Sequence, residues 1–173
     1  MEVDTKTYAL HELRTEPQPL RAELYNVGNF EPIPVAKANF TAAVKSNDLS
    51  GACICGMIKV FLITNGVPIC MSLSDKGCIA ALDMYNGRAF VSGKTADLSG
   101  FGVKRGKWTK TEIKTSAGKL QLLVDNHIEY ETSMPLVTMK VLGLAFEFYG
   151  GGAVKSIQLN SGNQVVFKGG LKQ

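Results

Sequence analysis

Val141-Leu142-Gly143-Leu144-Ala145-Phe146-Glu147-Phe148-Tyr149 is the stretch on which the fold turns. Successive side chains of a strand point to opposite faces, so period 2 sorts this segment into two sets. Leu142, Leu144, Phe146 and Phe148 form one apolar face; Gly143, Ala145, Glu147 and Tyr149 form a mixed one. A strand with one greasy and one mixed face belongs to a two-layer sandwich rather than to a sheet buried on both sides.

The same pattern repeats outward. Leu120, Leu122 and Val124 share a face within Lys119–Asp125, and Ser116-Ala117-Gly118 reads as the hairpin loop joining that strand to Trp108–Thr115. Asn126-His127 turns the chain into Ile128–Glu131. After Gly150-Gly151-Gly152, Val154–Leu159 and Gln164–Phe167 form a last pair. Toward the N-terminus, Asn39–Ser46, Cys53–Thr64, Ile69–Leu73, Cys78–Tyr85 and Arg88–Ser92 read as strands. Asn65-Gly66 and Asn86-Gly87 are hairpin signals, since both residue types tolerate positive φ. Turn signals recur about every ten residues and no window holds a 3.6-residue apolar period, which favours a sandwich over βαβ units. The expectation is an all-β, two-sheet antiparallel jelly-roll sandwich with little helix. Residues 1–20, polar and holding Pro17 and Pro19, read as an arm; 21–173 read as one domain.

Composition agrees. The chain has 173 residues, 45% apolar and 20% charged, with 18 glycines and 6 prolines for many turns. That is an ordinary globular balance in a chain long enough for one core. The net charge of +4 is mild, and the densest basic stretch, Lys104-Arg105-Gly106-Lys107, is too short for a nucleic-acid footprint. No apolar run reaches the length that crosses a bilayer; Met57–Thr64 is interrupted by Lys59. Residues 1–20 hold no signal-peptide core. An anchor removed from ahead of this segment remains compatible with it.

Motifs that carry the back half of the chain point to a family. Trp108-Thr-Lys-Thr-Glu-Ile113, Leu120-Gln-Leu-Leu-Val-Asp-Asn126, Val141-Leu-Gly-Leu-Ala-Phe-Glu-Phe148 and Gly152-Ala-Val-Lys-Ser-Ile-Gln-Leu159 together resemble the concanavalin A-like lectin/glucanase domains, laminin-G-like modules included. Leu73-Ser-Asp-Lys-Gly-Cys78 and Ser92-Gly-Lys-Thr-Ala-Asp-Leu-Ser-Gly-Phe-Gly102 look like uncharacterised cell-envelope domains of Bacteroidetes, which often follow a membrane anchor. The resemblance spans residues 38–168 and implies a jelly roll. Two departures stand out. Asn126 replaces a usual glycine, and Lys155 stands where many relatives have Asp, which removes an acidic role from that strand.

Catalytic motifs are missing. Hydrolases of this fold place two carboxylates on one strand as E-x-D-x-E or E-x-D-x-x-E, because glycoside hydrolysis needs an acid/base pair. Here Glu147 stands alone on its strand, and no Asp lies between Glu129 and Glu131. Gly87–Thr95 imitates a phosphate-binding loop but has five residues between its glycines where four are needed, and no helical period follows. His127, in a turn, is no base for a nucleophile.

Four cysteines cluster in sequence: Cys53, Cys55, Cys70 and Cys78. Three readings stand. An even, clustered set suggests disulfides and an oxidising compartment; free buried thiols are the second. Zinc is the third, against which Cys-x-Cys lacks the usual knuckle spacing. At least one disulfide is expected, and no metal or other cofactor.

For a ligand, flat rings and a lone acid are the candidates: Glu147 and Tyr149 on the mixed face, with Trp108 and Tyr85. Aromatic rings stack on sugars, although packing at a sandwich rim uses the same residues. The resemblance and the residues together favour a non-catalytic binding or interaction module, periplasmic or on the cell surface, with a glycan or an envelope protein as partner. One alternative is a purely structural C-terminal domain of a membrane-anchored sensor-like protein. The other is an atypical glycoside hydrolase.

Overall fold

The computed structural model describes residues 3–4, 21–27, 30–46, 55–134, 138–149 and 151–169. Cys53, most of the expected arm and Gly150 lie outside them. In chain order the strands are β1 (Val3–Asp4), β2 (Arg21–Val27), β3 (Ile33–Pro34), β4 (Ala38–Ser46), β5 (Met57–Thr64), β6 (Ile69–Asp75), β7 (Asp83–Asn86) and β8 (Phe90–Ser92). There follow β9 (Gly102–Val103), β10 (Thr109–Ser116), β11 (Lys119–Val124), β12 (His127–Ser133), β13 (Lys140–Tyr149), β14 (Gly152–Ser161) and β15 (Gln164–Lys168). Helix among the described residues is confined to three 3-10 segments, Val35–Lys37, Lys76–Ala81 and Ser99–Phe101, and none is long and apolar enough to cross a membrane.

Two sheets form the sandwich. Sheet A runs β1-β14-β4-β10-β11-β12, with β15 also on β14; sheet B runs β2-β13-β5-β6-β7-β8, with β3 on β13 and β9 on β6. All pairings are antiparallel except β6 with β9. Strict alternation of burial along β4, β5, β10 and β11 turns one face of each sheet inward. From sheet A come Phe40, Val44, Ile113, Leu120, Leu122, Val154 and Leu159; from sheet B come Ile58, Val60, Leu62, Met71, Leu73, Leu144, Phe146 and Phe148. Phe40 and Phe146 meet across the layers with ring centroids 6.0 Å apart.

Two bulges adjust the expected faces. In β13, Val141 pairs with Thr64 and Gly143 with Ile63, so Leu142 is an extra residue. The slip turns Val141 into the core (0% exposed) and leaves Leu142 only half-buried. Leu142 is therefore not on the core face that strict period 2 assigned it. In β14 the spacing Val154-x-x-Ile157 breaks period 2, yet both side chains are buried. Two residues there, Ser156 and Ile157, oppose one on β4, and Ser156 takes φ 54°. A left-handed residue at the first bulge position is what this geometry requires.

Turns differ from expectation in detail. Asn86 and Gly87 do open the β7–β8 hairpin: the Asn86 side-chain oxygen accepts from the Arg88 and Ala89 N–H groups, and Gly87 sits at φ 82° against Met134 and Met139. Asn65-Gly66 makes no tight turn. Asn65 instead exchanges hydrogen bonds with Lys140, donating its backbone N–H and accepting at its side chain, so the β5–β6 loop is tied to β13. The β11–β12 turn is Asp125-Asn126, at φ 49° and 70°, one residue earlier than read. Cys78–Ala81 is 3-10 rather than strand, and β7 begins at Asp83.

Ser156 tests this account of β14. A left-handed conformation costs an ordinary residue about 1–2 kcal/mol. Ser156→Gly should leave the thermal midpoint unchanged or raise it, whereas Ser156→Val should destabilise by about 1–2 kcal/mol. Equal midpoints for the two variants would mean that the bulge does not depend on this residue.

Candidate functional site

Sheet B has an outward face set by register. Glu147 of β13 pairs with Lys59 of β5, which pairs with Ser72 of β6. One pleat along, Ala145, Phe61, Cys70, Tyr85 and Phe90 line up across β13, β5, β6, β7 and β8. In the other direction Tyr149 pairs with Met57, and Met57 with Ser74. The face thus carries one polar row and one aromatic row side by side. The small residues Cys70 and Ser72 are buried between their larger neighbours, at 1% exposure each.

Across Ser72, the Lys59 ammonium reaches the Asp83 carboxylate at 2.8 Å. The Ser72 hydroxyl donates to the Asp83 carbonyl oxygen and so fixes the backbone beneath the pair. Burial acts to lower the Lys59 pKa, but the hydrogen bond and the negative charge of Asp83 outweigh it, so the value is raised above its ordinary 10.5. A cation with a raised folded pKa stabilises the fold fully below its unfolded value and loses that contribution as pH climbs through the folded one. The ammonium is therefore charged at any neutral pH and offers donors anchored at one end. Beside it lies Glu147, 7% exposed.

At the margin of this face Tyr85 and Phe90 pack edge to face, ring centroids 5.4 Å apart, and both remain open to solvent at 36% and 53% exposure. Of the residues singled out from sequence, Glu147, Tyr149 and Tyr85 share this face. Trp108 does not. It precedes β10 on the outer face of sheet A, beneath the ammoniums of Lys155 and Lys45 at 4.0 and 4.9 Å from the ring centroid. Lys59, Phe61, Asp83 and Phe90 were not singled out. Their signal was present for the β5 pair, because Met57, Lys59, Phe61 and Ile63 alternate with the core set Ile58, Val60 and Leu62. The imitation phosphate loop folds as the β7–β8 turn and β8, and the segment after it holds only the 3-10 turn Ser99–Phe101 and the two-residue β9.

The cysteines resolve into different roles. Cys55 and Cys78 form a disulfide, with Cα atoms 5.9 Å apart, that ties the entry of β5 to the 3-10 segment after β6. Asp75 reinforces the junction: its carboxylate accepts from the Gly56 N–H at 3.2 Å and pairs with Arg105. Cys70 is a free thiol beneath the outer face of sheet B, and burial pushes its pKa up to about 12. Cys53 lies outside the described residues. No group of three or more His, Cys, Asp or Glu that could hold a metal occurs among the described residues.

Reactivity follows from these environments. The thiolate is the reactive species, so native Cys70 should resist alkylation at pH 8 and react once the chain is unfolded. Mass spectrometry before and after denaturation reads this directly; rapid native labelling of Cys70 would contradict its placement. Reduction of Cys55–Cys78 should lower unfolding stability by about 3 kcal/mol, the chain-entropy value for a loop of this length.

No protein-family model matches the sequence, and no curated protein matches it. Solved structures do. The chain is similar to the carbohydrate-binding module CBM66 from Bacillus subtilis, at TM-score 0.50 and 6% identity over 82% of each chain. It is similar to a protein of unknown function with a galectin-like fold from Bacillus subtilis, at TM-score 0.47 and 9% identity, over 83% of this chain and 79% of that one. Family 7 alginate lyase A1-II′ aligns at TM-score 0.49 and 14% identity, over 85% of this chain and 74% of that one. At such identities the likeness is one of fold. Two sheets of almost wholly antiparallel strands, stacked in this order, make the fold a jelly-roll β-sandwich, the architecture shared with that carbohydrate-binding module.

Proposed function

We propose that this domain is a non-catalytic glycan-binding module whose ligand lies on the outer face of sheet B, over β5, β6, β7, β8 and β13. The observation that carries the reading is the solvent-open Tyr85–Phe90 pair set beside the Lys59–Asp83 ion pair. A pyranose has an apolar C–H face and a rim of hydroxyls. Exposed rings suit the first. An ion pair with remaining donor and acceptor capacity suits the second, since hydrogen bonds to charged groups are the stronger kind. Lys59 and Asp83 already hold each other and are backed by Ser72, so little side-chain freedom is lost when a sugar binds. Glu147, largely buried, closes the polar row at β13, and Tyr149 stands in the next row beside it. The fold shared with a module named as carbohydrate-binding supports the reading without carrying it.

The disulfide supports an oxidising compartment, the periplasm or cell surface. A second reading, hydrolysis, rests on one observation: register sets Glu23 of β2 directly opposite Glu147. Glycoside cleavage needs two carboxyl groups about one bond, and by register these two positions stand on neighbouring strands rather than at intervals along one.

A glycan array followed by calorimetry tests both readings. Tyr85→Ala and Phe90→Ala should each weaken binding roughly 2- to 10-fold, the range for one aromatic contact, while thermal midpoints stay close to wild type because both rings are exposed. Asp83→Asn and Tyr149→Ala should also weaken it. If no glycan is retained, the sugar reading fails and a protein ligand or a structural role takes its place. If a retained glycan ignores all four substitutions, the site lies elsewhere. Turnover of a bound glycan, abolished by Glu147→Gln, would promote the hydrolase.

A further inference from the structure

The outer face of sheet A has a different chemistry. On its three central strands, β14, β4 and β10, the outward residues include four lysines, Lys155, Lys45, Lys110 and Lys114, against one glutamate, Glu112. Lys110 is accounted for: its ammonium donates to the Asn126 side chain at 2.7 Å and lies 3.9 Å from Glu112. Lys45 and Lys155 are not. Neither forms an ion pair with a carboxylate among the described residues, and both place their ammoniums over the single tryptophan of the chain, Trp108.

Two like charges converging on one ring repel each other. The ring's quadrupole offsets part of that, but an anion set between the ammoniums would offset far more. The backbone is shaped to the same end. Ala43 of β4 pairs with Lys155 on one side and Lys110 on the other, so a methyl group floors the sheet between the lysines. The Ser156 bulge falls immediately after Lys155, where an extra residue alters the direction of the strand. Bulges re-aim neighbouring side chains in this way.

We propose that Lys45, Lys155 and Trp108 form an oxyanion-binding site, separate from the sheet B face, that takes a carboxylate or sulfate group carried on an acidic polysaccharide. The two ammoniums hold the anion by charge-assisted hydrogen bonds, and the indole lies beneath them as a flat, apolar support. Neutral sugars gain little here, since they carry no charge for the two ammoniums to hold.

Trp108 is its own reporter. Iodide should quench its emission more strongly than caesium does, because the ring sits in positive potential. Polygalacturonate and dextran sulfate, titrated at low salt, should each be tried against neutral dextran. A saturable change in Trp108 emission with either polyanion, absent with dextran and weakened by salt, is the expected result; the polymer that responds identifies the acidic group. Lys45→Gln with Lys155→Gln should abolish the iodide preference and weaken polyanion binding about tenfold or more, roughly what two charge-assisted surface contacts supply. Both lysines are half-buried surface residues, so a circular dichroism spectrum and thermal midpoint matching wild type verify that the double variant folds. Phe90→Ala, on the other sheet, should leave the response intact, so failure of this site and failure of the sheet B reading are told apart. Equal quenching by iodide and caesium, no response to either polyanion, or a response that survives the double substitution would each overturn the proposal.

Discussion

Everything in this domain follows from the need to seal one face of sheet A against one face of sheet B. The Phe40–Phe146 contact marks where the two layers meet, and the residues around it, from Ile58 to Leu159, are almost wholly removed from water. Burial of such side chains contributes about 25 cal/mol per Å² of apolar surface and is the main favourable term in the fold. A strand has only two faces. Once the core claims one, alternate residues of β4, β5, β10 and β11 are left partly open to solvent, whereas β6 and most of β13 are buried on both faces.

The bulges show how firmly that constraint is held. Without the extra residue at Leu142, either Val141 or Leu144 would turn outward, since the two lie three apart. Without Ser156, Val154 and Ile157 would conflict in the same way. In each case the chain accepts a broken ladder and, at Ser156, a left-handed backbone rather than surrender a core side chain. The energies agree with that choice: a buried aliphatic residue is worth about 1.5–3 kcal/mol, more than one strained residue costs.

The core was legible in the sequence for the same reason. Period 2 found Leu144, Phe146 and Phe148, and Leu120, Leu122 and Val124, but the opposite face of β13, which a one-sided sheet would leave open, is buried too at Gly143, Ala145 and Glu147. It erred where pairing rather than alternation decides. Leu142 was assigned inward because a bulge depends on the partner strand, and nothing in Val141-Leu142-Gly143 announces it. Asn65-Gly66 has the composition of a tight turn, but Asn65 is engaged by Lys140, 75 residues away. The candidate site was half legible. Glu147, Tyr149 and Tyr85 stand on one face, as parity along their own strands allows. Trp108 went to the other sheet, because which strand joins which sheet is a matter of topology, and parity is silent on that. Lys59 and Asp83 were missed as partners because they lie two strands apart, with only the small Ser72 between them.

The two outer faces also differ in a way that no single residue reveals. On sheet B the cation Lys59 lies between carboxylates, Asp83 within hydrogen-bond reach and Glu147 beside it in register. Charges there are internally satisfied, so an acidic ligand would meet resistance, and what remains on offer is hydrogen bonding and exposed ring. On sheet A, Lys45 and Lys155 share an aromatic ring but no carboxylate, so positive potential is left over. Both faces rest on the same rigid core, so neither has to be ordered by its ligand. As proposed, the two would favour opposite chemistries: neutral, hydroxyl-rich surfaces on one side, acidic groups on the other. A polysaccharide bearing both kinds of unit would engage the domain through two faces that cannot touch the same stretch of chain, since the full thickness of the sandwich separates them. Joint engagement of both faces would therefore require two separate stretches of polysaccharide.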